Sequence, residues 1–261
     1  MKIGPIILRG YVLAFFVLLY LPIVILVILG FNENRVVYVW TGFTTDKFAQ
    51  VFSIQAYQRA LNASLLIAFG TTALSAVLGT LAGIAGARFT SLRFELAWTT
   101  LILLPLIIPE IVEALSLILF YQAIGIPNGV AATILGHTVF CVSIVALIVR
   151  TRMADVGRAL EEASMVLGAN RFVTFFRVLL PIAAPAIIAG SFLGFAASFD
   201  DVIKSSFTTD AATQTLPLIV FAQAHRGGIT PTIAALSAVM VAISLAAALV
   251  RVTAERRFSR G

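Results

Sequence analysis

The chain has 261 residues, 60% of them hydrophobic and only 11% charged, with 18 Lys and Arg against 12 Asp and Glu for a net charge of +6. A soluble domain carries about 25% charged residues, so the composition and a mean hydropathy of +1.04 exclude a water-soluble globular protein and predict an all-α membrane protein. Cys141 is the single cysteine and sits in an apolar run, so no internal disulfide is available and it reads as a small buried hydrophobe.

In chain order, six stretches reach the roughly 20 apolar residues that a helical crossing needs: 11–31, 60–87, 96–121, 129–149, 179–199 and 233–250. The first follows Lys2 and Arg9 but exceeds the length of a signal-peptide core and lacks a small-x-small cleavage site, so it is expected to be an uncleaved helix. Segment 32–59 carries Trp40, Phe43, Phe48 and Tyr57, aromatics suited to a membrane interface or to short amphipathic structure there. Gly79, Gly83 and Gly86 in the second stretch predict close helix packing. In the third, Pro109 is expected to kink the helix just before Glu110 and Glu113, which share one helical face. The fifth ends on Asp200 and Asp201, and a basic tail occupies 251–261.

Six crossings put both termini on one side. With the N-terminus inside, the cytoplasmic segments hold Lys2, Arg9, Arg88, Arg93, Arg150, Arg152, Arg158, Arg171, Arg177, Arg251, Arg256, Arg257 and Arg260, whereas the outer segments hold Arg35, Lys47, Arg59, Lys204 and Arg226. That asymmetry predicts cytoplasmic termini. The excess positive charge then belongs at an anionic inner leaflet and calls for no nucleic acid.

Between the fourth and fifth crossings lies LEEASMVLGANRFVTFFRVLLPIAAPAI, residues 160–187. Glu161 and Glu162 open a run of helix formers. Gly168 and Asn170 are expected to end it, since both tolerate a left-handed backbone, and 171–177 restarts a helix. A short charged helix tied to membrane helices on both sides is placed to pass a push from a soluble partner, although an ordinary basic loop would share its composition. Glu162-Ala163-Ser164, then Gly168, then Val178-Leu179-Leu180-Pro181 resembles the E-A-A-x3-G-x9-I-x-L-P loop of inner-membrane permease subunits of binding-protein-dependent ABC importers. Ser164 and Val178 depart from the usual Ala and Ile.

The resemblance implies the type I permease fold: 1–59 as first transmembrane helix and outer loop, 60–250 as the permease domain with its coupling loop at 151–178, and 251–261 as the cytoplasmic tail. Glu162, Ala163, Ser164, Gly168, Leu180 and Pro181 would then form the ATPase-coupling element, with Gly168 supplying the turn and Pro181 starting the fifth crossing where its missing N–H costs nothing. It further implies a bacterial inner-membrane location, a second permease subunit, most simply a distinct homologue, two cytoplasmic ATPase subunits that bind ATP and Mg, and an extracytoplasmic solute-binding protein. This chain has no G-x-x-x-x-G-K-[ST] and is expected to be no enzyme and to hold no cofactor. His137 and His225 are isolated in sequence and read as packing or interface residues rather than metal ligands.

Ionisable groups at membrane depth mark functional sites by default. Glu110, Glu113, Asp200 and Asp201 are therefore the candidate solute-pathway residues, apt for a cation, with Phe195, Phe199 and Phe207 adding cation–π attraction. Alternatively, they are neutralised by neighbouring helices. SFDDVIKSSF and TLPLIVFAQAHRGGITPTIAALSAV resemble the spermidine/putrescine permease subgroup, with Lys204 a departure that weakens the pull of the diacid. Polyamines are thus the implied solute, with importers for opines, amino-acid derivatives or other small solutes as the alternative within the class. A proton-coupled secondary transporter would use the same carboxylates but leaves 160–187 without a purpose. An intramembrane enzyme lacks a nucleophile with a His partner.

Overall fold

The computed structural model describes residues 3–89 and 91–258, with side chains for 8–89 and 91–253. Lys2 and Arg260, and the side chains of Arg256 and Arg257, lie outside the described residues. The elements are α1 (Ile3–Leu29), α2 (Asp46–Ser53), α3 (Gln55–Arg88), α4 (Leu92–Ile107), α5 (Glu110–Ile124), α6 (Val130–Val156), α7 (Ala159–Val166), α8 (Arg171–Thr174), a π-helical turn (Phe175–Leu179), α9 (Leu180–Phe199), α10 (Ile203–Thr208), α11 (Leu216–Gly227) and α12 (Pro231–Phe258). Among the described residues the β-structure is a lone bridge between Asn32 and Phe43.

Among the described residues five helical runs are long and apolar enough to cross a bilayer: Leu8–Leu29, Gln55–Arg88, Val130–Val156, Arg171–Phe199 and Pro231–Thr253. The third expected crossing is corrected. In place of one kinked helix over 96–121, α4 and α5 are separate helices meeting at 106°, so a sixth span exists only if the bent pair is counted as one. The cause is local. A proline disfavours helical backbone in the residue before it, and Ile108 (φ −64°, ψ 133°) and Pro109 (φ −54°, ψ 129°) are both extended.

The chain divides into two units, Met1–Gln58 with Ile219–Ile243, and Arg59–Leu218 with Ser244–Gly261. In the first, the segment after α1 is folded around buried Asn32, whose Nδ2 donates to the carbonyl of Val39 at 3.0 Å and whose Oδ1 accepts from the amide of Asn34 at 3.1 Å. Phe43 stacks on Phe31 with ring centroids 5.1 Å apart and Phe48, on the short helix α2, packs against it tilted at 4.6 Å, while Phe43 and Trp40 remain exposed.

The second unit contains every expected site residue. Its core joins α6 to the π-helical turn and α9 through Val145, Val149, Met153, Leu179, Ala183 and Ala186. The α3 glycines do what their spacing predicts. A Cβ on Gly79 would lie 2.6 Å from Val145 Cβ, and one on Gly83 would lie 2.7 Å from the carbonyl oxygen of Ala146, so α3 and α6 approach to backbone contact. Gly86 faces the Trp98 ring, whose Nε1 donates to the carbonyl of Ala82 at 2.7 Å.

Candidate functional site

The segment after α6 forms the expected helix–turn–helix, built from identifiable devices. Glu161 and Glu162 occupy the first turn of α7, where the helix dipole favours negative charge. Gly168 (φ 90°) ends it in a left-handed conformation, its amide donating to Met165 O at 3.0 Å and that of Ala169 to Ser164 O at 3.1 Å. That pair of bonds is the glycine-dependent closure of a helix C-terminus. Asn170 has a different role from the expected one. It is extended (φ −77°, ψ 168°) and starts α8, its side chain accepting from the amide of Val173 at 2.9 Å.

Ser164 bonds the hydroxyl of buried Thr174 at 2.7 Å and so ties α7 to α8. The departure from alanine at this position thus has a local structural use.

Pro181 lies in the first turn of α9, as expected, but that helix does not start afresh. Helical backbone runs without a break from Arg171 to Phe199. The missing proline N–H and the clash of its ring with the preceding turn are accommodated by the wide π-helical turn just before it, in which the amide of Leu180 bonds Phe175 O.

The hairpin presents a surface of its own. Glu162, Ala163 and Gly168 are exposed, and Val166 (86%), Leu167 (89%) and Phe172 (75%) are apolar side chains standing almost free. Beside them, a pocket of about 410 Å³ is lined by Arg88, Arg158, Glu162, Arg171 and Phe175. An apolar tip with charged flanks, carried on a rigid turn, suits docking into another protein.

The second group of candidates lies where α5, α6, α9 and α10 meet. Lys204 of α10 is buried, with its Nζ 2.5 Å from Glu110 Oε1, 3.5 Å from Asp201 Oδ2 and 3.7 Å from Glu113 Oε2, and 4.8 Å above the Phe140 ring. The break at Pro109 makes this possible, because it places Glu110 and Glu113 in the first turn of a new helix. Asp201 Oδ1 accepts from the amide of Ser205 at 2.8 Å and lies 3.2 Å from His137 Nε2. His137 Nδ1 lies 2.8 Å from Ser198 Oγ, so a ring carrying its proton on Nε2 serves both contacts.

Three expectations change here. Glu110, Glu113 and Asp201 are gathered around one ammonium and are not two separated carboxylate pairs. Asp200 is exposed and outside the group. Lys204, read as weakening the diacid, is the centre of the cluster, and His137, read as isolated, is part of it. The Asp201–Lys204 spacing of three residues was the available signal. Nothing local in the sequence pointed to His137. Three carboxyl groups thus surround one amine, and Glu110, 44% exposed, is the open edge of the cluster.

Comparison with known proteins follows the same lines. Residues 75–259 match the family described as binding-protein-dependent transport system inner membrane component. The chain is 36% identical over 232 residues, 87% of this chain and 82% of the other, to the putrescine transport system permease protein PotI of Escherichia coli K12. It is 32% identical over 238 residues, covering 91% and 92%, to the spermidine/putrescine transport system permease protein PotC of Haemophilus influenzae. Among solved structures it is similar to a chain of a bacterial ABC transporter involved in import of the acidic polysaccharide alginate, with a TM-score of 0.76 at 15% identity over 96% and 94% of the two chains. It is also similar to a chain of the MetNI methionine ABC transporter, with a TM-score of 0.66 at 18% identity over 77% and 94%.

Proposed function

This chain belongs to the family of binding-protein-dependent transport system inner membrane components, and from that premise we propose that it forms half of the solute pathway of an ATP-driven polyamine importer. It is a multi-pass inner-membrane permease subunit of an ABC importer and is itself not an enzyme. The hairpin 159–176 is its coupling element. Glu162 and the apolar tip at Val166, Leu167 and Phe172 dock into a cytoplasmic ATPase subunit, and closure of the ATPase pair, which holds ATP and Mg, moves them. A second, homologous permease subunit completes the pathway, and an extracytoplasmic binding protein delivers the solute.

The observation that carries this reading is the exposed, glycine-terminated hairpin with Val166 and Leu167 almost fully exposed at its tip. Two features support a cationic solute: the names of the similar permeases and the carboxyl groups around Lys204, open at Glu110.

Reconstitution with the second permease subunit, the ATPase and the binding protein tests it. Radiolabelled putrescine or spermidine should enter only with ATP, and Gly168→Val or Glu162→Lys should abolish uptake while the chain still inserts. Uptake driven by a proton gradient through this chain alone would favour secondary transport instead. Uptake of a neutral or anionic solute, but of neither polyamine, would overturn the assignment of the solute and leave the coupling role standing.

A further inference from the structure

α3 and the hairpin are separated by the whole of α4, α5 and α6 in sequence, yet they meet at one guanidinium. Arg88 is the last residue of α3. Its Nη1 donates to the carbonyl of Met153 and its Nη2 to that of Gly157, each at 2.9 Å, and its Nε is ion-paired with Glu161 in the first turn of α7. Met153 lies in the last turn of α6 and Gly157 caps it, so both carbonyls belong to a helix end that lacks intrahelical partners. The arrangement is reciprocal, because the guanidinium of Arg158, which caps the start of α7, donates to the carbonyl of Arg88 at the end of α3.

Three devices place Arg88 here. The Gly79 and Gly83 contacts bring α3 against α6. Gly157, at φ 66°, turns the chain sharply out of α6 so that Glu161 comes back toward α3. The side chains of Arg88 and Glu161 are only 13% and 18% exposed, so their pairing is shielded in a way surface ion pairs are not.

We propose that Arg88 is the positioning residue of a latch that makes α3 move with the coupling hairpin, giving the hairpin a third output besides the two helices that continue its chain. α6 and α9 receive any displacement of the hairpin through the backbone. α3 has no such link, and the two-carbonyl, one-carboxylate grip of Arg88 supplies it. A planar fork bonded to two carbonyls of one element and ion-paired with a carboxylate of the next fixes direction as well as distance, which a lysine ammonium does not reproduce. The proposal rests on the hairpin being the coupling element, and its test is arranged so that the two fail separately.

Spin labels at Phe89→Cys and Leu160→Cys, both exposed positions, report the distance between α3 and α7 in the assembled importer without nucleotide and with ATP trapped. With Arg88 intact, that distance should hold within about 2 Å, the scale of ordinary helix shifts. In Arg88→Ala it should change between the two states, and putrescine imported per ATP hydrolysed should fall about tenfold, the effect of losing a charge-assisted grip. Arg88→Lys should not restore coupling. Glu161→Gln, which leaves the carbonyl bonds in place, should give an intermediate value and covers the case in which Arg88→Ala fails to assemble. Equal distances in both states together with wild-type import per ATP, in Arg88→Ala or in Glu161→Gln if Arg88→Ala does not assemble, would overturn the latch. Cross-linking of Leu167→Cys to the ATPase is the separate control: its absence in the otherwise unaltered protein refutes the hairpin's docking, while the label pair still judges the latch without any solute.

Discussion

Replacing Lys204 with methionine keeps the length of the side chain and removes the ammonium that sits among Glu110, Glu113 and Asp201. The side chains of Glu113 and Asp201 are 9% and 5% exposed, so water cannot take over the lost role, whereas Glu110 is 44% exposed and can be resolvated. Removing one partner of a buried pair costs about 3–5 kcal/mol, because a charge is left without compensation. For a chain of this length that corresponds to a fall in Tm of roughly 10 °C. The carboxylates are not equivalent to the lysine. Each faces one ammonium, but the ammonium faces three carboxylates, so Glu113→Gln should cost much less than Lys204→Met. A double-mutant cycle between them should return a coupling of about 1–3 kcal/mol, with Glu113→Gln partly rescuing Lys204→Met. Thermal unfolding of the purified assembled importer, followed by size-exclusion of the remaining complex, measures all four corners. A Lys204→Met variant as stable as the parent, or a cycle that closes at zero, would refute the view that Lys204 organises this cluster.

Three further outcomes are expected. Gly83→Ala should destabilise the assembled protein by about 1–3 kcal/mol, since its Cβ meets a backbone carbonyl that cannot move aside; Gly10→Ala, with no atom within 4 Å of the added carbon, should be silent in the same thermal assay. Ser164→Ala removes the bond to Thr174 together with the hydroxyl's bond to the carbonyl of Glu161 and should cost about 1 kcal/mol in the same thermal assay. The turn at 210–213 should loosen in acid. The Thr213 hydroxyl, followed by the amides of Ala212 and Thr213, holds the Asp210 carboxyl below its ordinary range. Such a group stabilises the turn above its unfolded pKa and loses that contribution as pH falls through the lowered folded value. Amide exchange at Ala212 and Thr213, corrected for intrinsic rates, should therefore accelerate below the carboxylate range and not above it.

The spans and the hairpin were legible because their signals are local. Apolar length defined the long helices, and Glu161, Glu162 and Gly168 carry their meaning at fixed offsets along one segment. The glycines of α3 were legible for the same reason, as a spacing on one helix face. What escaped depends on residues brought together from afar. Arg88 appeared only as a cation near a membrane edge, and its acceptors are mainly backbone carbonyls, which leave no trace in composition. His137 meets Ser198 and Asp201 across more than sixty residues. Lys204 was visible but misread, since its sign was weighed against Asp201 alone and not against two carboxylates on another helix. At Pro109 the sequence indicated a disturbance but not its size. A kink and a corner of 106° begin from the same missing N–H, and the extended backbone of Ile108 decides between them.

That corner constrains what can surround it. At sixteen and fifteen residues, α4 and α5 are each roughly 24 Å long, short of a hydrocarbon slab of about 30 Å. The joint between them leaves peptide groups with no helical neighbour, and hydrocarbon offers such groups no hydrogen bond. Fatty acyl chains therefore do not bathe residues 106–109. The elbow belongs where moisture or polypeptide reaches it, next to the partly exposed carboxylate of Glu110.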